Sequence, residues 1–72
     1  MNNLQKVGTF NGIIIYQYDF TNAKGVKIKT AKVLFNINGI GVLVNSTKLT
    51  EHKVGNKVIQ DLGYDGSKWV VM

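Results

Sequence analysis

The chain has 72 residues, nine Lys, no Arg, no Cys and no Pro, with a net charge of +5. That length makes one small domain, residues 1–72, whose core covers a modest fraction of its surface. Without thiols there is no disulfide and no thiolate metal site, and an apolar fraction of 44% excludes a disordered chain.

The longest purely apolar run, Ile13 to Tyr16, is far too short for a membrane span, so no membrane partner is expected. Met1-Asn2-Asn3-Leu4-Gln5-Lys6 has no apolar stretch after it and does not read as a secretory leader, which predicts a cytoplasmic protein. The Lys- and Asn-rich composition suits an AT-rich genome and points to a phage or mobile element of a low-GC host. Lys without Arg means that any phosphate contact is a point charge or a backbone N–H, not a bidentate fork.

In chain order, Lys6 to Phe10 reads as a short strand leading into Asn11-Gly12. Asn-Gly between apolar runs predicts a two-residue hairpin turn, because both central residues need φ > 0. Ile13 to Phe20 is the next strand. Its alternate residues Ile14, Tyr16, Tyr18 and Phe20 form one apolar-aromatic face, assigned to the core. Thr21 to Gly25 is a loop with Gly25 in the left-handed region.

Val26 to Ile37 is a long extended stretch. Lys27 and Lys29 alternate with Val26, Ile28 and Thr30, and the pattern then becomes continuously apolar. That change predicts a phase slip near Ala31-Lys32, through a bulge or bend. Asn38-Gly39 is a second hairpin turn, which sets Phe35 opposite Val42 and Val33 opposite Val44. Gly41 to Asn45 returns as a strand.

Ser46 to Lys53 is the most polar segment, suited to a long loop or one helical turn. Asn56 to Leu62 fits a short helix capped by Asn56 or a strand; the strand is preferred, since so short a helix is marginal. Asp65-Gly66 is the third hairpin turn, setting Leu62 opposite Trp69. Lys68 to Met72 closes the chain as a strand. The three turn dipeptides lie 27 residues apart, but the segments around them align poorly, so regular hairpins explain the spacing better than a repeat does.

The sum is an all-β fold: a small antiparallel meander of five to six strands, closing into an SH3-like or OB-like barrel or remaining a curled sheet, with room for one short helical turn. Catalytic chemistry finds little footing. The one His, His52, lies beside Glu51 on a polar stretch and reads as solvated. Four carboxylates, Asp19, Glu51, Asp61 and Asp65, have no metal-ligand spacing. Gly39-Ile40-Gly41 lacks the third glycine and helix of a dinucleotide fingerprint. No catalytic residue, metal site or cofactor is expected, and the chain reads as no enzyme.

Binding is the expected role. Lys24, Lys27, Lys29 and Lys32 form a basic stripe, and Tyr16, Tyr18, Tyr64 and Trp69 supply aromatics, of which Tyr64 and Trp69 are the rings expected to stack on a base. The predicted function is a non-enzymatic module for an anionic ligand, nucleic acid or nucleotide. The alternatives are an inhibitor of a host protein and a self-assembling structural protein, either of which allows a homo-oligomer. Gly63-Tyr64-Asp65-Gly66-Ser67-Lys68-Trp69 loosely resembles the glycine-aromatic-Asn-Gly turn of phage anti-Thoeris nucleotide sponges. It covers seven residues and assigns no family, but it implies sequestration of a small signalling nucleotide as one form of anion binding.

Overall fold

The computed structural model describes residues 4–72; the reading of the first three residues as part of a leaderless N-terminus lies outside them. Five antiparallel strands form one sheet: β1 (Gln5–Thr21), β2 (Lys27–Ile37), β3 (Ile40–Ser46), β4 (Lys57–Tyr64) and β5 (Trp69–Val71). Their order is β3-β2-β1-β4-β5. The all-β expectation holds in its curled-sheet form. The edge strands β3 and β5 approach one another without pairing, so the sheet is not closed into a barrel.

The first expected hairpin does not exist. Asn11-Gly12 lies inside β1, with Asn11 opposite both Asn36 and Ile59, and Gly12 opposite both Phe35 and Val58. Gly12 serves close packing instead of a turn. A Cβ there would lie 2.7 Å from Cδ1 of Phe35 and 3.1 Å from Cγ1 of Val33, so the missing side chain makes room for the Phe35 ring. Asn38-Gly39 does turn the chain, with φ of 53° and 85°. The expected pairs Phe35–Val42 and Val33–Val44 are present.

The third turn is longer than two residues. Leu62 pairs with Val71 and Tyr64 with Trp69, in place of Leu62 with Trp69. Oδ1 of Asp65 accepts from the backbone N–H groups of Ser67 (2.9 Å) and Lys68 (2.9 Å). That Asx-type cap stabilises a four-residue loop over a tight turn. The segment from 57 to 64 is a strand, as preferred, and the polar stretch after Ser46 is a loop without helix.

The phase slip occurs beside its expected place, on the partner strand. The β1–β2 register shifts between Ile14 and Tyr16, making Ile15 the extra residue, opposite Val33 and Lys32. A second shift, between Lys6 and Gly8, bends β1 against β4. Two bulges in one 17-residue strand let it curl enough to join both halves of the sheet.

Residues opposite each other in neighbouring strands share a face. The inner face holds Ile14, Val33, Phe35, Val44, Val58, Leu62 and Val71, all buried, with Phe10, Val42 and Trp69 at its margin. The loop between β3 and β4 covers one end of this core. Leu49 inserts into it, the Gly55 N–H donates to the Ile14 carbonyl (2.7 Å), and the Ile14 N–H donates to the Asn56 carbonyl (3.0 Å). Nε2 of Gln17 reaches the carbonyls of Thr50 and His52 from β1.

Candidate nucleic-acid interface

The bulge at Ile15 decides where the aromatic residues go. Ile14 points into the core, but past the extra residue the alternation reverses. Tyr16, Tyr18 and Phe20 therefore lie on the outer face, opposite Lys32, Thr30 and Ile28 respectively. This corrects their assignment to the core. Tyr16 is 58% exposed and Phe20 43%. The Tyr16 and Tyr18 rings are near-parallel, with centroids 6.0 Å apart and planes 24° apart.

The outer face is laid out in cross-strand rows. Phe20 and Ile28 form the row nearest the β1–β2 loop, followed by Tyr18 with Thr30. Next comes Tyr16 with Lys32 and Asn45. Then Lys57, Ile13, Leu34 and Leu43 align across four strands, followed by Ile59, Asn11, Asn36 and Gly41. No carboxylate stands in any of these rows. Asp61 lies further along the face, where it accepts from Thr9 (Oγ1 to Oδ1, 2.5 Å) and pairs with Lys6 at 3.4 Å.

An open groove of about 560 Å³ occupies the last two rows, lined by Asn11, Ile13, Leu34, Asn36, Gly41 and Lys57 among others. Gly41 leaves its floor low; a side chain there would meet Cδ1 of Leu34 at 3.3 Å. Oδ1 of Asn36 accepts from the Gly39 N–H (2.8 Å), which orients this carboxamide at the groove wall.

The six residues singled out from the sequence do not form one site. Lys32 is on the outer face beside Tyr16. Lys27 and Lys29, opposite Thr21 and Asp19, have the other parity and belong to the opposite face of the hairpin. Lys24 is in the connecting loop, where Oδ1 of Asn22 accepts from the N–H groups of Lys24 (2.9 Å) and Val26 (3.1 Å). Gly25 takes φ of 80° there, as expected. Tyr64 and Trp69 lie at the far end of the sheet, since Tyr64 pairs with Gln5 whereas Lys27 pairs with Thr21. Trp69 packs edge-on against Phe10 (6.3 Å) and against Tyr64 (5.2 Å), a role at the core margin.

Two carboxylates have local roles that fix their charge. Hydrogen bonding from Thr9, then from Lys6, holds the Asp61 carboxyl below the usual carboxylate range. The N–H groups of Ser67 and Lys68 do the same for Asp65. Among the described residues, no three His, Asp or Glu side chains gather as metal ligands, and no helix is long and apolar enough to cross a membrane. The chain matches no known protein family, no curated protein and no solved structure.

Proposed function

We propose that this protein is a non-enzymatic module that binds single-stranded nucleic acid or a nucleotide on its outer face. The observation that carries this reading is the near-parallel pair of exposed Tyr16 and half-buried Tyr18, with Lys32 directly opposite Tyr16. With centroids 6.0 Å apart the two rings lie against each other and form one platform, on whose open face a base stacks. Phe20 continues the platform by another two residues. Lys32 and, at the end of the hairpin, Lys24 supply phosphate contacts. The net charge of +5 favours approach of an anion.

Architecture lends a weaker, separate argument. Partly open five-stranded barrels of the OB type take oligonucleotides on the face of their second and third strands. Here the outer positions of β2 and β3 carry Lys32, Asn36 and Asn45. This is a likeness of shape alone, and the residues carry the reading. A cytoplasmic location and a phage or mobile-element origin belong to the same proposal and rest on composition.

The test is fluorescence anisotropy with labelled single strands over a salt series. Affinity is expected to fall with a log–log slope of about −2, for some three phosphates contacted. Tyr16→Ala and Tyr18→Ala should each cost about 1–3 kcal/mol. Binding that ignores salt and both tyrosines would sink the proposal.

One observation favours a second reading. Ile59 is 69% exposed and Leu43 57%, and with Leu34 they leave apolar side chains open on the same outer face. A protein partner, or a second copy, would cover them. Sedimentation that stays monomeric at high concentration removes the second copy, and unchanged partner capture by a Leu43→Ser, Ile59→Ser variant removes this face as the protein site.

A further inference from the structure

We propose that the ligand is a single strand of several nucleotides, gripped on both faces of a free-standing hairpin. The inference rests on the nucleic-acid reading above and decides between its polymer and its mononucleotide. The hairpin is the end of the sheet that β3 and β4 do not reach. β4 pairs with β1 only as far as Ile13, and β3 pairs with β2 only from Ala31. Beyond those points Tyr18 to Thr21 pair with Lys27 to Thr30 and with no other strand. The edge of β2 over these residues is therefore open, and a chain lying on one face can pass round it to the other.

The two faces carry the two halves of a nucleic-acid site. The outer face presents Tyr16, Tyr18 and Phe20, with Lys32 opposite Tyr16. The other face presents Lys27 and Lys29, both exposed and set against Thr21 and Asp19, as point charges for phosphate. Lys24, also exposed, stands at the tip between them. Four of the nine lysines thus lie between Tyr16 and Lys32, with Asp19 as the one carboxylate of that stretch. The ion pair formed among the described residues, Lys6 with Asp61, lies elsewhere.

A mononucleotide cannot use this arrangement. One sheet layer with its side chains is about 10 Å thick, and the phosphates of a stacked strand advance about 3.4 Å each. A base on the tyrosine platform and a phosphate on Lys27 or Lys29 therefore belong to nucleotides about three apart. The platform also lacks an enclosing wall: Tyr16 is 58% exposed, whereas a small-molecule pocket covers most of its ligand. A duplex fails for another reason, since its base faces are hidden in the stack. Stacking on an open ring takes every base, so the grip is indifferent to sequence.

The experiment measures anisotropy over a salt series for ATP, a thymidine trimer, a thymidine dodecamer and a duplex of the dodecamer's length. Two phosphates beyond those held on the ring face steepen the log–log slope by about 1.4. The dodecamer should therefore show about −3.4 where the trimer is no steeper than about −2. The double variant Lys27→Gln, Lys29→Gln should bring the dodecamer back to about −2 and cost it more affinity than the trimer. Lys68→Gln, which removes a charge at the far end of the sheet, should leave the slope in place. Thermal unfolding of each variant checks that it folds. Equal slopes for trimer and dodecamer, a double variant that holds the dodecamer as wild type does, or the same loss in Lys68→Gln overturns the two-faced grip and leaves the tyrosine platform standing. ATP or the duplex bound as tightly as the dodecamer also overturns it. Absence of binding to every strand and to ATP overturns both readings.

Discussion

Gly12 shows how little surplus this small core has. Gly12 is fixed by the Phe35 ring that fills the space of its missing Cβ. Gly12→Ala forces Phe35 or the backbone to shift, and overpacking of this kind costs about 1–3 kcal/mol, readable as a lower urea midpoint with an unchanged slope. Thr30 is buried, and its hydroxyl has no hydrogen-bond partner among the described residues. Thr30→Val keeps the shape and removes the unsatisfied group, so stability should stay level or rise by up to about 1 kcal/mol; a clear loss in thermal unfolding would reveal a partner for the hydroxyl. Asp61 gives a pH signature. Its folded-state pKa is depressed by Thr9 and Lys6, so its contribution is complete above the unfolded value of about 3.9 and is lost as pH falls through the folded value. Asp61→Asn should flatten that acid loss in a pH series of denaturant midpoints. The role of Asp65 as a turn residue was legible from its neighbour Gly66. That of Gly12 was not, because Asn-Gly in a strand and Asn-Gly in a turn differ only in what packs above them.

At the scale of the strand, the bulge at Ile15 decides which side chains meet solvent. The run Ile13-Ile14-Ile15 is apolar throughout, so no change of pattern marks the residue at which alternation reverses. The signal that did exist lay across the ladder, in the switch from alternating to continuous apolarity along β2. It located the irregularity to within a residue or two and could not say which strand carried it. The aromatic triplet was consequently placed in the core, and the search for stacking rings went to Tyr64 and Trp69. Deleting Ile15 puts the prediction to work. Removing the extra residue leaves Ile14 opposite Val33 and Tyr16 opposite Lys32, so Tyr16, Tyr18 and Phe20 stay on the outer face of a straighter strand. Cooperative unfolding is expected to persist, with a loss of about 1–3 kcal/mol from the missing bend. Loss of cooperative unfolding would show that the ladder cannot close without the extra residue. The strand choice for β4 was legible because a helix of that length cannot stand alone, whereas Gly63 and the turn after it support pairing.

For the molecule as a whole, the topology rests on β1. It joins a local partner, β2, and a distant one, β4, with Gln5 set against Tyr64. Hairpin signals read along the chain predict a meander and miss such a pairing, because nothing local announces it. Pairing of chain-distant strands also sets the pace of folding: a single relaxation in the millisecond-to-second range is expected by stopped flow, and a microsecond phase carrying the full amplitude would contradict it. The gap between β3 and β5 has its own consequence. A narrow cleft of about 210 Å³ separates them, lined by Leu43, Val44 and Asn45 on one side and Lys68, Trp69 and Val70 on the other. Each edge leaves a row of amides with no strand beside it, whereas β1 over Asn11 to Ile13 has β2 on one side and β4 on the other. In amide hydrogen exchange the sheet should behave as a hinge-less clasp: solvent deuterium enters from the β3–β5 side, and protection deepens toward β1 from both directions.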